Sequence, residues 1–320
     1  MKLLEKTKLT FLTPCFCAGA DQKVAEIRVT AIRAELRWWF RCLGGSKRQE
    51  SLVFGSAAGS SESASSLLVR ISDIQFSDTY HQPTYQSIND PGSYHHYFLT
   101  APNKNLNDQS RMWATAPDSA SKTKGTIRKE SQIPPGSSFI LHIFQVRNYP
   151  IDQQEEIEKL LSLTIQCLKL FGSIGFRKTR GFGAWQADGS ALSQSELTIT
   201  LNQLKNAHQF SYNLGNGANK WETPFNQIET KLKGNKLAGT GFRLKYPAET
   251  GKSKISNPSP FGHTDSTSRQ TSAVYFRPLA ISTKKGDIQY ALLIFQAPDS
   301  VLGEKTIKHV GMTNTRVDLT

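Results

Sequence analysis

Ser138-Phe139-Ile140-Leu141-His142-Ile143-Phe144-Gln145-Val146-Arg147 is the stretch from which the architecture of the chain follows. It holds no Gly or Pro, is dominated by aliphatic and aromatic side chains, and is short for a helix. Residues 138–147 therefore read as a buried strand. Just downstream, Asp152 and Glu155 stand in capping-box spacing and open a helix that runs to Phe171-Gly172. A basic, glycine-rich turn comes next and leads into a strand through Phe182-Gly183-Ala184-Trp185.

Upstream, the same strand–helix–strand succession occurs. Residues 7–12 read as a strand leading to Pro14 and Gly19, and a helix runs from an N-cap at Thr30 to Gly44-Gly45. Its apolar positions Ile32, Leu36, Trp39, Phe40 and Leu43 form one inward face, while Arg33, Arg37 and Arg41 recur every fourth residue as an exposed column. Residues 67–76 read as a further strand. The order strand–helix–strand–strand–helix–strand is that of a ferredoxin-like (RRM-like) domain, here residues 1–190, of α+β class. Between 77 and 135 the pattern dissolves into polar residues, which predicts a functional insertion. Strands at 196–202, 240–246, 273–281 and 287–296, a helix near 222–232 and a surface loop at 247–262 predict a second α+β unit over 191–320. No internal repeat is visible.

Charge narrows the function. The 320 residues carry 39 Lys+Arg against 26 Asp+Glu, a formal +13. Residues 28–48 contribute +5, 171–183 contribute +3 and 220–254 contribute +5, which leaves the remainder neutral. Charge clustered in this way favours a polyanion as partner. No apolar run is long enough for a membrane span, and the charged start is unlike a signal peptide. Four Cys are too few for a disulfide scaffold, so a cytoplasmic location is expected.

Gly172-Ser173-Ile174-Gly175-Phe176-Arg177-Lys178-Thr179-Arg180-Gly181-Phe182-Gly183 combines backbone freedom with three cations and no acid, which suits RNA or phosphate. A nucleotide-binding P-loop is excluded. Arg177 stands where that motif needs Gly, and the turn leads from a helix into a strand rather than the reverse.

Thr13-Pro14-Cys15-Phe16-Cys17-Ala18-Gly19-Ala20-Asp21, followed by Glu26-Ile27-Arg28-Val29-Thr30-Ala31-Ile32-Arg33-Ala34-Glu35-Leu36-Arg37-Trp38-Trp39-Phe40-Arg41, resembles the opening of RAMP-superfamily proteins. Within that superfamily it is similar to the first-numbered subunits of the type III-B CRISPR effector, the Cmr complex. Phe54-Gly55-Ser56-Ala57 resembles the family's next block, and residues 172–183 its glycine-rich loop. Arg269-Gln270-Thr271-Ser272 and Phe276-Arg277-Pro278 resemble a C-terminal block more loosely. The chain departs from the family pattern at Ala18 and Ala34, where Gly is usual, and at Cys15 and Cys17.

The resemblance implies two ferredoxin-like domains in tandem, in a subunit at the guide 3′ end. There it would contact guide RNA (crRNA), target RNA and neighbouring subunits in antiviral defence, with the chemistry performed by other subunits. The expected RNA-binding residues are Arg28, Arg33, Arg37 and Arg41 on one side of a groove, and Gly175, Arg177, Lys178, Arg180, Gly181 and Gly183 on the other. Their guanidinium groups suit phosphate. Trp38 and Trp39 read as core or interface residues rather than base-stacking platforms.

The expectation is a non-enzyme without cofactor or metal. Guide-processing RAMP proteins use a His near the first helix or the glycine-rich loop, whereas the first His here is His81. Residues 44–72 lack the Asp of the target-cleaving subunit. His95-His96, beside Tyr94 and Tyr97, support an alternative, a metal-independent endoribonuclease. A scaffold that binds only protein is the third reading. Cys15-x-Cys17 has the wrong separation for a zinc knuckle, and burial accounts better for all four Cys.

Overall fold

The computed structural model describes residues 1–21, 24–56, 63–80, 129–233, 263–264, 269–270, 274–283, 285–296 and 298. Its first half runs β1 (Lys2–Phe11), α1 (Val29–Cys42), α2 (Lys47–Phe54), β2 (Leu67–Gln75), a 3-10 turn (Lys129–Ser131), β3 (Ser138–Gln145), α3 (Gln154–Phe171) and β4 (Trp185–Ala187). The four strands form one sheet in the order β2-β3-β1-β4, and every pairing is antiparallel. Period-two alternation puts Leu9, Phe11, Phe139, Leu141 and Ile143 into the core against α1 and α3.

Several local readings need correction. Helix α1 starts at Val29 with Arg28 as N-cap and no side-chain cap, one residue before Thr30. Helix α3 starts at Gln154, so the Asp152–Glu155 box does not form; Asp152 instead accepts the Gln153 side-chain amide at 3.3 Å. Residues 196–202 are not a strand but part of helix α4 (Gln194–His208). The alternating Thr and Ile there mimic a strand. However, Ser193 and Glu196 build a capping box, and Leu197, Leu201 and Leu204 are buried at helical spacing. Near the end of the polar insertion, Ile133 is fully buried and pairs with Cys15.

The second half continues with β5 (Ser211–Leu214), α5 (Glu222–Lys233), the short antiparallel pair β6 (His263–Thr264) and β7 (Arg269–Gln270), β8 (Val274–Ser282) and β9 (Ile288–Gln296). Its antiparallel sheet has the order β5-β9-β8, so β9 lies between β5 and β8 as β3 lies between β1 and β2. The strand expected at 240–246 and the loop at 247–262 lie outside the described residues.

Aromatic packing joins the halves. Trp39, 1% exposed, lies 5.9 Å from both Phe210 and Phe295 in stacked geometry, and Trp38 lies 4.9 Å from Tyr275. Truncating a Trp buried to this degree costs about 3–5 kcal/mol. Both tryptophans are thus packing residues of the joint between the halves.

Candidate nucleic-acid interface

The first turn and the glycine-rich turn are laced together. Gly183 N–H donates to Pro14 O (2.9 Å) and Phe176 N–H to Phe16 O (2.7 Å). Thr13 Oγ1 donates to Gly181 O at 2.7 Å and accepts from Ala184 N–H at 3.0 Å. Gly175 and Gly183 have φ of +91° and +65°, and a Cβ on either would come within 2.7 Å of Phe16 O or 2.0 Å of Ile174 O. The glycines therefore let two backbones touch. The N–H groups of Ile174, Phe176, Gly181 and Gly183 all point at peptide carbonyls rather than outward at an anion. Gly181 (φ +84°) admits Ile228 of α5, whose Cδ1 would lie 2.5 Å from a Cβ.

Two members of the arginine column of α1 hold α2, a helix not among those expected from the sequence, although it opens on the capping box of Ser46 and Gln49. Arg33 Nη2 donates to Phe54 O, and Arg37 Nη2 donates to Gly55 O at 2.7 Å while its Nε pairs with Glu50 at 2.9 Å. These carbonyls end α2, where cations are favoured by the helix dipole. Arg33 and Arg37 are consequently half-buried rather than exposed, and burial together with Arg37 lowers the Arg33 pKa. Arg41 remains exposed and lies 3.5 Å from Glu50.

The turn's cations divide likewise. Arg180 is 1% exposed, its guanidinium 5.7 Å over the Phe276 ring, which leaves it no surface to offer a phosphate in this conformation. Lys178 donates to Glu35 and lies 5.8 Å over Trp38, with 30% of its side chain still exposed. Arg177, half-buried with φ +58°, covers the Phe176 ring at 4.9 Å.

The backbone of residues 16–18 hydrogen-bonds one of the expected cations and the residue next to another. Phe16 O receives Phe176 N–H, next to Arg177, and Ala18 O receives the exposed Arg28 Nη1 at 3.3 Å. Arg28 is also the N-cap of α1, whose first turn contains no acid and no side-chain cap. The positive end of a 14-residue helix therefore adds to the two side chains. Glu26 counts against them, its carboxylate lying over Gly19.

The RAMP superfamily model matches residues 8–185, from the end of β1 through both turns to the first residue of β4. The chain belongs to the RAMP superfamily. Two solved structures share its fold. One is "Cryo-EM structure of the Type III-B Cmr-beta bound to cognate target RNA", with TM-score 0.52 at 12% identity over 97% of this chain and 100% of that one. The other is the same complex "bound to cognate target RNA and AMPPnP, state 2, in the presence of ssDNA", with TM-score 0.50 at 13% identity and the same coverage. No curated protein is similar enough in sequence to count as a relative.

In this RAMP fold the central buried charge is one that the basic windows and family blocks do not single out. Glu35, 1% exposed, accepts from Lys178 and from Ser173 N–H (3.4 Å) and lies 4.0 Å from Arg277, which is fully buried. Two clues were in the sequence: Glu35 is the one acid within residues 28–48, and Arg277 interrupts an apolar strand. Burial lowers the Arg277 pKa, opposed by Glu35 and Tyr275. The four cysteines are buried and free, with burial raising all four thiols. Among the described residues no group of three potential ligands is placed to hold a metal, and no helix is long and apolar enough to cross a membrane. His95, His96 and residues 234–254 of the third basic window lie outside the described residues.

Proposed function

We propose that the chain is a non-catalytic RNA-binding subunit of a type III-B CRISPR ribonucleoprotein, built from tandem ferredoxin-like units. It sits at the guide 3′ end, contacts guide and target RNA backbones and adjoins other effector subunits. The reading rests chiefly on the exposed Arg28 at the uncapped start of α1, whose guanidinium bonds Ala18 O while the backbone next to Arg177 bonds Phe16 O. Full-length likeness to a chain of an RNA-bound effector supports the setting. The tandem reading is supported by β5-α5-β8-β9, whose strand order repeats that of β1-α1-β2-β3. Guanidinium groups beside a helix N-terminus bind backbone phosphates without reading sequence, which suits a guide whose sequence varies. Neither α1 nor the glycine-rich turn contains a His, in keeping with positioning rather than cleavage.

The test is RNA affinity as a function of salt for the parent, Arg28→Ala, Arg177→Ala and the double variant. Removing one phosphate-binding cation should lower the salt slope by about one. Equal affinities and slopes in all four proteins would defeat the proposal. A specific cut in labelled repeat RNA incubated in EDTA would replace it with the nuclease reading.

A further inference from the structure

The first sheet has a second face, which the interface above does not use. Side chains opposite the core include Leu3, Lys6 and Lys8 on β1, Leu68 and Arg70 on β2, and Ile140, His142 and Phe144 on β3, with Leu3 and Leu68 flanking Phe144. Lys6, Lys8 and Arg70 are exposed, and the three β3 residues are half-buried. Register places His142 directly between Lys6 and Arg70, and Ile140 beside Lys8. The His142 and Phe144 rings are parallel within 1°, with centroids 6.2 Å apart, and Ser72 Oγ holds the His142 ring through Nε2 at 2.9 Å. Two acids border the face: Asp73, which accepts the Ser72 hydroxyl, and Asp188, whose N–H joins Lys8 O. Glu5 points the other way and pairs with Lys169 of α3.

We propose that this face binds a single-stranded RNA segment, with bases stacking on His142 and Phe144 and the backbone held by Lys6, Lys8 and Arg70. The inference rests on the RNA-binding reading and adds a second contact region to it. Two parallel rings at alternate positions of a central strand offer stacking partners for successive bases, and every base has a π-face, so recognition is sequence-tolerant. Cations on the flanking strands lie where the phosphates of a strand crossing the sheet would run. An apolar protein partner would have to cover three exposed cations on this face, whereas a polyanion is complementary to them.

The experiment uses the full chain and two labelled probes, a single-stranded RNA of mixed sequence and a duplex of equal length, with melting temperature as a folding control. Phe144→Leu keeps apolar volume, and the double variant with His142→Ala removes both rings. The double variant is expected to lose about 10-fold or more in single-strand affinity with little change in duplex affinity or salt slope. Lys6→Gln, Lys8→Gln and Arg70→Gln together should instead flatten the single-strand salt slope by about two. Photocrosslinking of 5-iodouridine RNA to the parent should label the peptide containing residues 138–147, a readout that does not depend on variant folding. The idea is overturned if the parent binds RNA while folded variants bind equally well and crosslinks fall elsewhere. It is likewise overturned if the variants lose only a protein partner. Failure of the parent itself to bind RNA would sink the proposed function as well.

Discussion

Glu35 of α1 and Arg277 of β8 meet across the two halves of the chain, with Arg277 Nη2 at 4.0 Å from Glu35 Oε1 and both side chains withdrawn from water. Lys178 of the glycine-rich turn donates to the other carboxylate oxygen, and Arg277 Nη1 donates to Lys178 O at 3.3 Å. One carboxylate thus ties the first helix, the turn and the second sheet together. Removing it would leave a wholly buried guanidinium facing a second cation.

Glu35→Ala is therefore expected to destabilise the protein by about 3–5 kcal/mol, the usual penalty for orphaning a buried charge. Adding Arg277→Met should recover part of the loss, because no buried cation is then left unpaired. Urea denaturation of the two single variants and the double variant measures this coupling. Additive losses would show that the pair does not act as a unit.

Gly183→Ala should cost at least about 2 kcal/mol, since it strains a left-handed residue and drives a methyl group into Ile174 O. Gly44 has φ +97° but open space around it, so Gly44→Ala isolates the backbone cost, about 1–2 kcal/mol. Thermal melts of the two variants side by side separate close approach from conformation.

Arg180→Ala should lower the melting temperature and leave the RNA salt slope of the folded protein near that of the parent, because the guanidinium is buried against Phe276. A changed slope with an unchanged melting curve would return Arg180 to the RNA surface. The column Arg33-Arg37-Arg41 divides on the same principle. Neutralising Arg37 loosens α2 through Gly55 O and Glu50, while Arg41 is the exposed member.

His208 ends α4 half-buried, and burial holds its pKa below 6.5, against the Leu43 carbonyl that favours the charged ring. The unfolded chain therefore binds the proton more readily in the window just below 6.5, and stability falls as pH drops through it. Urea midpoints taken at about pH 7.5 and about pH 5.5 should differ less in His208→Gln than in the parent. An equal difference would mean that other groups carry the acid sensitivity.

All four thiols should react slowly with a disulfide reagent at mild alkaline pH and promptly once the chain is unfolded, because burial keeps them protonated and out of reach. One fast thiol in the native protein would contradict this packing.

The order of elements in the first half was legible because each carries its own periodicity: two along β1, β2 and β3, and about 3.6 along α1 and α3. Local rules misled where a pattern served two readings. Thr and Ile between Glu196 and Leu201 alternate like a strand, but leucines four and three residues apart bury the face of a helix. The candidate site was half legible. Sequence identified the cations of α1 and the glycine-rich turn, yet it could not distinguish an arginine that faces solvent from one that caps a neighbouring helix.

The sequence by itself determined the order of the four strands and two long helices of residues 1–190, the clustering of positive charge and the family blocks, since these depend on composition and spacing along the chain. Only the tertiary structure decided which charges remain available. Arg180 and Arg277 are withdrawn, Lys178 is shared with Glu35, and Arg28 stays exposed while bonding Ala18 O. The physical reason is that burial and pairing are set by tertiary contacts, such as that of Glu35 with Lys178, 143 positions away. Spacing along the chain does not encode which partner a cation will meet.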